Sequence, residues 1–333
     1  MVSITARAQS ITAPTASEPK TDVHEGAAFA AYIENDARVL GGPGTDRAYS
    51  NGFKFSYIYA QDGAPEWARK PFNIFKFLDN DLDLAKSNFA VSFAQQIYTP
   101  NNTALTQLIS DDRPYVAWMY LGFGFTFKEE KVAHFLEVDV GTVGPSALGE
   151  QVQNDFHDLV HDEHAVGWAN GLKDEPTLQL FYQDRYKYLR EKYFDFVPYY
   201  GAGLGNVQIA IHAGGIVRIG FNLPDDFGPT RPSASDGDSF VSPTGEAGAR
   251  RNSAYIFGGI RGNAVARNIF LDGNSFRASH KVTKYPFTSD TEVGFGLQFT
   301  PMSFVWSFVV RSPEFEQQSK FNSFASINMI YAL

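Results

Sequence analysis

The chain of 333 residues contains no cysteine, no long apolar run and no cluster of basic residues. The absence of cysteine excludes disulfide bonds, thiolate metal sites and a cysteine nucleophile. No segment approaches the roughly 18 consecutive apolar residues of a transmembrane helix, although a membrane barrel needs only about 9–11 alternating residues per strand. The net charge of −9, without a basic run, argues against general nucleic-acid binding.

Glycine, proline and aromatic residues are abundant instead, with 29 Gly, 17 Pro, 30 Phe and 16 Tyr against only 20% charged residues. This composition favours an all-β chain. Residues 1–25 are small and polar. Ala6-Arg7-Ala8 has the form of a signal-peptidase site but lacks the charged and apolar regions that normally precede one. We expect either a truncated export signal or a disordered leader there, followed by one β-domain over 26–333.

Two-residue alternation runs through most of that domain. From Tyr115 to Phe127 the odd positions are almost all large and apolar, whereas Gly122, Gly124 and Thr126 lie on the other face. Such a strand is longer than those of typical soluble sheets and suits a wall with lipid on one side. Similar stretches occur at 53–59, 89–97, 131–143, 177–189, 193–204, 207–221, 253–261, 265–271, 279–286, 292–299, 303–311 and 325–333. The pattern predicts an antiparallel transmembrane β-barrel of about 12 strands, with a soluble sandwich or jelly roll as the alternative.

The first predicted hairpin carries polar residues that suit a cation. Asn35 and Asp36 end one strand, and Ser50 begins the next after a Gly-rich turn. Since adjacent strand ends are neighbours in a hairpin, Asp36 and Ser50 are expected to face one site. Their oxygen atoms suit Ca²⁺ better than zinc. The same residue types are also ordinary turn residues.

A second polar group lies in a segment that is predicted to be helical near 153–165. Gln153, His157 and Glu163 would then project toward a common side, and a histidine beside a bound cation is suited to act as general base for water. Two alternatives remain: a zinc cluster of His157, His161 and His164, or a solvated polar helix that caps the barrel. A long loop over 224–251 also interrupts the strand pattern. The chain has no G-x-S-x-G elbow and no phosphate loop, so nothing supports an α/β serine hydrolase or a nucleotide-binding enzyme.

These segments together resemble the LpxR-type lipid A 3′-O-deacylases of the Gram-negative outer membrane. The similarity lies in ENDARVLGGPGTDRAYSNGFKFSY (34–57), QQIYTP (95–100), GTVGPSALGEQVQNDFHDLV (141–160), GWANGLKDEP (167–176), GGIVRIGFNLPDDFGP (214–229) and LDGNSF (271–276). The matches run in order from about residue 28 to the last residue. The combination of the Asn-Asp hairpin, QxIYTP and the Gly-Pro that precedes Q-x3-H is specific, whereas each motif alone is not.

The resemblance implies a twelve-stranded outer-membrane barrel that uses Ca²⁺ to remove the 3′-linked acyloxyacyl group of lipid A. Matched motif by motif, it implies a metal site of Asp36, Ser50 and Glu163. It assigns the general base to His157 and supporting catalytic roles to Asn35, Ser50, Gln153 and Glu163. One departure is that residues 101–105 contain no lysine, which a well-known member carries at this point.

We therefore expect a calcium-dependent hydrolase in the outer membrane, acting as a monomer on lipid A or lipopolysaccharide among outer-membrane lipids. Water would attack the ester directly, without an acyl-enzyme intermediate. Two alternatives are a non-catalytic pore or structural barrel, favoured by an inward face of small and polar residues, and a phospholipid esterase with the same chemistry.

Overall fold

The protein is described by a computed structural model that covers residues 26–36, 48–61, 63–72, 87–231 and 252–333. The leader expected over 1–25 and most of the loop expected over 224–251 lie outside these residues. The strands are β1 (Ala28–Asn35), β2 (Ala48–Ile58), β3 (Ser87–Thr99), β4 (Val116–Lys128), β5 (Val132–Val143), β6 (Glu175–Tyr186), β7 (Leu189–Arg190), β8 (Phe194–Gly205), β9 (Gln208–Phe221), β10 (Ser253–Asn268), β11 (Phe287–Phe299), β12 (Met302–Arg311) and β13 (Asn322–Ala332). The helices are α1 (Glu66–Phe72), α2 (Gly149–Val160) and α3 (Ile269–Asp272).

The described strands close into an antiparallel barrel of twelve, and the two-residue β7 is paired only with β8. Each long strand pairs with its sequence neighbours. Closure comes from two further pairings, β1 with β13 and β6 with β8. The barrel prediction is therefore confirmed. None of the described helices is long and apolar enough to span a membrane.

Three predicted boundaries were wrong. The stretches at 253–261 and 265–271 are one strand that continues through a bulge near Val265 and stops at Asn268, whose side chain accepts from the Phe270 N–H and starts α3. Residues 279–286 are not a strand, apart from one bridge between Lys284 and Phe315. Finally, α2 begins at Gly149 and ends at Val160, so Glu163 lies beyond the helix.

Alternate residues face opposite sides of the wall. Large apolar side chains cover the outside; Phe55 is 50% exposed, Ile211 63% and Ile256 63%. The residues between them point into the lumen, where buried Lys54 on β2 pairs with buried Glu137 on β5. An apolar outside and a polar inside are what a lipid-embedded barrel requires.

Aromatic side chains fill the lumen at one end, which we call the helix rim. This is the end at which β1, β3 and β5 finish. Trp118 stacks on Tyr120 with ring centroids 4.1 Å apart, and Tyr98 stacks on Phe270 of α3 at 4.2 Å. All four side chains are buried. The lumen is therefore packed at the helix rim.

The lumenal segment (223–231) fills the barrel from the opposite rim. Its Leu223 and Phe227 pack among inward-facing side chains of the wall. The guanidinium of Arg218, which is fully buried, contacts Asp195 on β8 at 2.6 Å and Asp226 of this segment at 2.5 Å. Arg231 anchors the end of the segment through an ion pair with Asp290 on β11, at 2.9 Å. These charge pairs hold the segment inside the barrel.

Replacing Arg218 by methionine leaves Asp195 and Asp226 without their shared cation in a buried setting. We expect the free energy of unfolding to fall by about 3–5 kcal/mol, since a buried charge that loses its partner is costly. We also expect ion conductance in planar bilayers to rise above that of the wild type. Urea unfolding followed by tryptophan fluorescence measures the first quantity. Lys70→Met, at an exposed pair with Glu66, is the control and is expected to change stability by less than about 1 kcal/mol. Equal stability of the two variants would contradict the anchoring role.

Candidate functional site

The helix α2 lies against the outer surface of the barrel, not in its lumen. Ile97 on β3 and Ala117 on β4 belong to the outward-facing set, and both pack with Ala147 in the turn that precedes the helix. The Gln95 side chain, also outward-facing, donates from Nε2 to the Ala147 carbonyl at 2.6 Å. These contacts fix the start of α2 on the outside of the wall at the helix rim.

One side of α2 faces the wall and is polar. Gly149, Gln153 and His157 are buried at a spacing of four, which places them on one face of the helix. A Cβ at position 149 would lie 2.5 Å from the Ala117 Cβ and from the Trp168 ring. Glycine at this position therefore allows the helix to approach the wall closely, and it brings the two polar side chains against the barrel.

The orientation of His157 is set by the loop that follows the helix. The chain leaves α2 at His161, which adopts the left-handed conformation with φ 58°. This turn brings the Glu163 carbonyl to 2.5 Å from His157 Nδ1. Because a carbonyl only accepts, Nδ1 carries the proton, and in the neutral imidazole the lone pair is then on Nε2. The buried imidazole is thus in the tautomer that can accept a proton at Nε2.

Glu163 makes this contact through its main chain, whereas its side chain is exposed. The family resemblance implies that its carboxylate completes the site or binds the metal. The described geometry instead gives Glu163 a direct contact with the histidine through its backbone carbonyl.

The side-chain amide of Gln153 has a hydrogen-bond partner for its oxygen but not for its nitrogen. Trp168 donates from Nε1 to Gln153 Oε1 at 3.0 Å, whereas Gln153 Nε2 is buried and has no hydrogen-bond partner in the described part of the chain. The neighbouring Asn154 accepts from the Ala165 N–H at 2.9 Å and holds the returning loop against the helix.

The first hairpin forms a second polar group at the same rim. Asn35 Nδ2 and the Asp36 N–H both donate to the Ser50 carbonyl, each at 3.2 Å. Ser50 lies in a β-bulge between Tyr49 and Asn51, and its hydroxyl is 2.6 Å from that of Thr99. Asn35, Asp36 and Ser50 are all buried. The structure brings these three predicted residues together.

Strand β3 connects the two groups. Gln95, Ile97 and Thr99 point outward from alternate positions; Gln95 and Ile97 contact the turn before α2, whereas Thr99 contacts Ser50. The four residue steps from Gln95 to Thr99 along the strand span only about 13–14 Å. Ser50 of the first hairpin and the turn that precedes α2 therefore contact one short outward-facing row of β3.

The hairpin donors are those that a hard cation prefers. The Asp36 carboxylate, the Asn35 amide oxygen and the Ser50 hydroxyl are oxygen atoms, which suit Ca²⁺ and fit poorly to zinc. Within the described ranges, no three or more His, Cys, Asp or Glu side chains are grouped so that they could hold a metal. The alternative zinc cluster has no such geometry, since His161 and His164 are exposed and His164 pairs with Asp158 at 2.7 Å.

Three residues were missed by the sequence analysis, namely Gln95, Thr99 and Trp168. The motifs QQIYTP and GWANGLKDEP contain all three and mark the similarity, but spacing alone gives them no role. Their contacts join residues that are 15 to 52 positions apart, so only the folded chain reveals them.

Replacing Gln95 by leucine removes its bond to the Ala147 carbonyl and leaves that buried acceptor unsatisfied. We expect a cost of about 1–3 kcal/mol, concentrated in the attachment of α2. Amide hydrogen exchange across 149–160 is therefore expected to become faster. Gln151→Leu, at an exposed position of the same helix, is the matched control. Unchanged exchange in the Gln95 variant would show that this bond does not hold the helix.

Comparison with known proteins identifies the family. The family described as outer membrane protein LpxR matches residues 1–333. Among solved structures, LpxR from Salmonella typhimurium superposes with a TM-score of 0.69 at 18% identity, covering 92% of this chain and all of that one. The β-domain of the Bordetella autotransporter BrkA gives 0.40 at 8% identity, over 93% of this chain and all of that one. The comparison with curated proteins finds no match. The chain belongs to the LpxR family of outer-membrane proteins, and it is an outer-membrane β-barrel.

Proposed function

We propose that the protein is a calcium-dependent hydrolase that removes the 3′-linked acyloxyacyl group of lipid A. The observation that carries the proposal is the buried His157 on the wall-facing side of α2, with Nδ1 bonded to a backbone carbonyl. Family membership supports lipid A as the substrate. A histidine held in one tautomer beside a lipid-facing wall is suited to an ester that lies within the membrane.

The proposed chemistry is direct attack by water. His157 Nε2 accepts a proton as the water oxygen adds to the ester carbonyl. The bond between the acyl carbonyl carbon and the 3′ oxygen of the sugar then breaks, and the departing alkoxide takes the proton from the imidazolium. The products are the acyloxyacyl fatty acid and the free 3′ hydroxyl. The Glu163 carbonyl keeps Nδ1–H in place and stabilises the imidazolium while it exists.

Asp36 is the proposed principal ligand of Ca²⁺, with Asn35 and Ser50 as oxygen donors beside it. Bound there, Ca²⁺ would supply positive charge for the oxygen of the scissile carbonyl. The chain's own part is to bury these donors and to fix them through the Ser50 carbonyl and the Thr99 hydroxyl.

The location of the site favours a membrane lipid over a soluble ester. Outward-facing Phe93 is 41% exposed and Leu121 48% exposed, and they continue the apolar wall away from the helix rim on β3 and β4. The scissile ester of lipid A lies at the boundary between headgroup and acyl chains. A site at the rim on the outside of the wall suits an ester at that depth, with room for acyl chains along the apolar wall beside it.

The two alternative functions differ in support. A pore needs an open lumen, whereas the described lumen is packed by aromatic side chains and by the lumenal segment. A phospholipid esterase needs the same catalytic groups and would differ only in substrate. Assaying lipid A and phospholipid side by side separates it from the proposed function.

Replacing His157 by asparagine removes the base and retains a side-chain N–H for the Glu163 carbonyl. We expect the rate of acyl release to fall by about 10²–10⁴, which is the usual contribution of a general base. Mass spectrometry of lipid A, incubated with each variant in the presence of calcium, measures this rate. His164→Asn, at an exposed histidine, is the control and should keep wild-type activity. Equal acyl release by the two variants would rule out His157 as the base.

Replacing Asp36 by asparagine removes the only formal charge among the three hairpin donors. We expect the calcium concentration for half-maximal activity to rise by about tenfold or more, since ligand charge sets calcium affinity. A chelator should abolish wild-type activity, and added calcium should restore it. The control is Asp155→Asn, at an exposed position of α2. Activity that is indifferent to the chelator would contradict the calcium requirement.

A further inference from the structure

The amide of Gln153 is oriented by a single hydrogen bond. Trp168 Nε1 is donor only, and it lies 3.0 Å from Gln153 Oε1. Rotating the amide by half a turn would bring two donors face to face. The oxygen of Gln153 therefore points to the indole, and its NH₂ group points away from it.

The indole is itself held in a tight setting. Its ring packs on Tyr115 with centroids 5.1 Å apart. Two glycines make room for this pair: a Cβ at Gly149 would lie 2.5 Å from the Trp168 ring, and one at Gly167 would lie 2.6 Å from the Tyr115 ring. The Trp168 N–H is thus a fixed donor that emerges from a close-packed aromatic pair.

The other end of the Gln153 side chain lacks a partner. Nε2 is buried and makes no hydrogen bond within the described ranges, although Gln153 is only 5% exposed. An unsatisfied buried donor costs about 1–3 kcal/mol, so its retention calls for an explanation. It lies one helical turn from His157 on the same buried face of α2, and the substrate must come to this histidine.

We propose that Gln153 donates from Nε2 to an oxygen of the substrate ester, and that Trp168 is the positioning residue that aims this amide. This role rests on the proposed function. To the charge that Ca²⁺ would supply, it adds a hydrogen-bond donor from a protein side chain. The ester oxygen gains negative charge as water adds, and a donor already aimed at it stabilises that charge without reorganisation. Flipping the amide would present a carbonyl oxygen to the same charge and would oppose the reaction.

A double-mutant cycle on acyl release tests the proposal. Gln153→Ala removes the donor and is expected to lower kcat by about 10²–10³, as loss of one oxyanion donor does. Gln153→Glu keeps an acceptor for the indole but offers no N–H, and it should be equally slow. Trp168→Phe keeps the ring and loses the N–H; we expect kcat to fall by about tenfold with KM and calcium dependence unchanged.

The double variant gives the decisive result. If Trp168 acts through the amide, Trp168→Phe should have no further effect in the Gln153→Ala background, because the group that it aims is gone. An equal loss of activity in both backgrounds would show that Trp168 is only a packing residue and would overturn its positioning role. Trp306→Phe, on the outer face of β12, controls for the loss of an indole.

Failure of the proposed function would give different assay results from failure of the Gln153 proposal alone. If the wild type releases no acyl group from lipid A or phospholipid, both the function and the amide's role are rejected. If the wild type is active and Gln153→Glu is equally active, the hydrolase stands and the donor role is rejected.

Discussion

The structure depends on the requirement that every backbone N–H and C=O inside a bilayer must have a hydrogen-bond partner. Lipid offers none, so strands can cross only as a closed cylinder. The pairings of β1 with β13 and of β6 with β8 complete that cylinder and leave no free edge between them. Closure also fixes which side chains face lipid, because alternate residues of each strand must point outward and inward.

The filled lumen explains why the candidate site lies outside the barrel. The aromatic cluster around Trp118 and Phe270 occupies the lumen at the helix rim, and the lumenal segment occupies it from the other side. A lipid ester cannot reach groups in such an interior. The outer wall is the surface that faces lipid, and α2 begins on that wall at the helix rim.

Much of the fold could be predicted because it depends on local alternation. The long strand β4 shows this clearly, with Phe123, Phe125 and Phe127 outward and Gly122 and Gly124 inward. The errors fall where local pattern and pairing disagree. Residues 279–286 alternate like a strand but have no neighbouring strand with which to form a ladder, and Asn268 ends β10 because its side chain starts a helix there. The helix α2 begins at Gly149, earlier than its polar composition indicates, and this glycine lets the helix pack closely on Ala117.

Sequence by itself determined the barrel, through its two-residue period, and it named the residues that carry the resemblance to the family. The contact of Asn35 and Asp36 with Ser50 follows from hairpin geometry, so it could be predicted from the sequence. Tertiary structure decided that Glu163 meets His157 through a carbonyl, that Trp168 holds the Gln153 amide, and that the lumen is filled. The reason is physical: periodicity records which face of a strand is apolar, whereas a hydrogen bond between distant loops depends on where closure of the barrel places them.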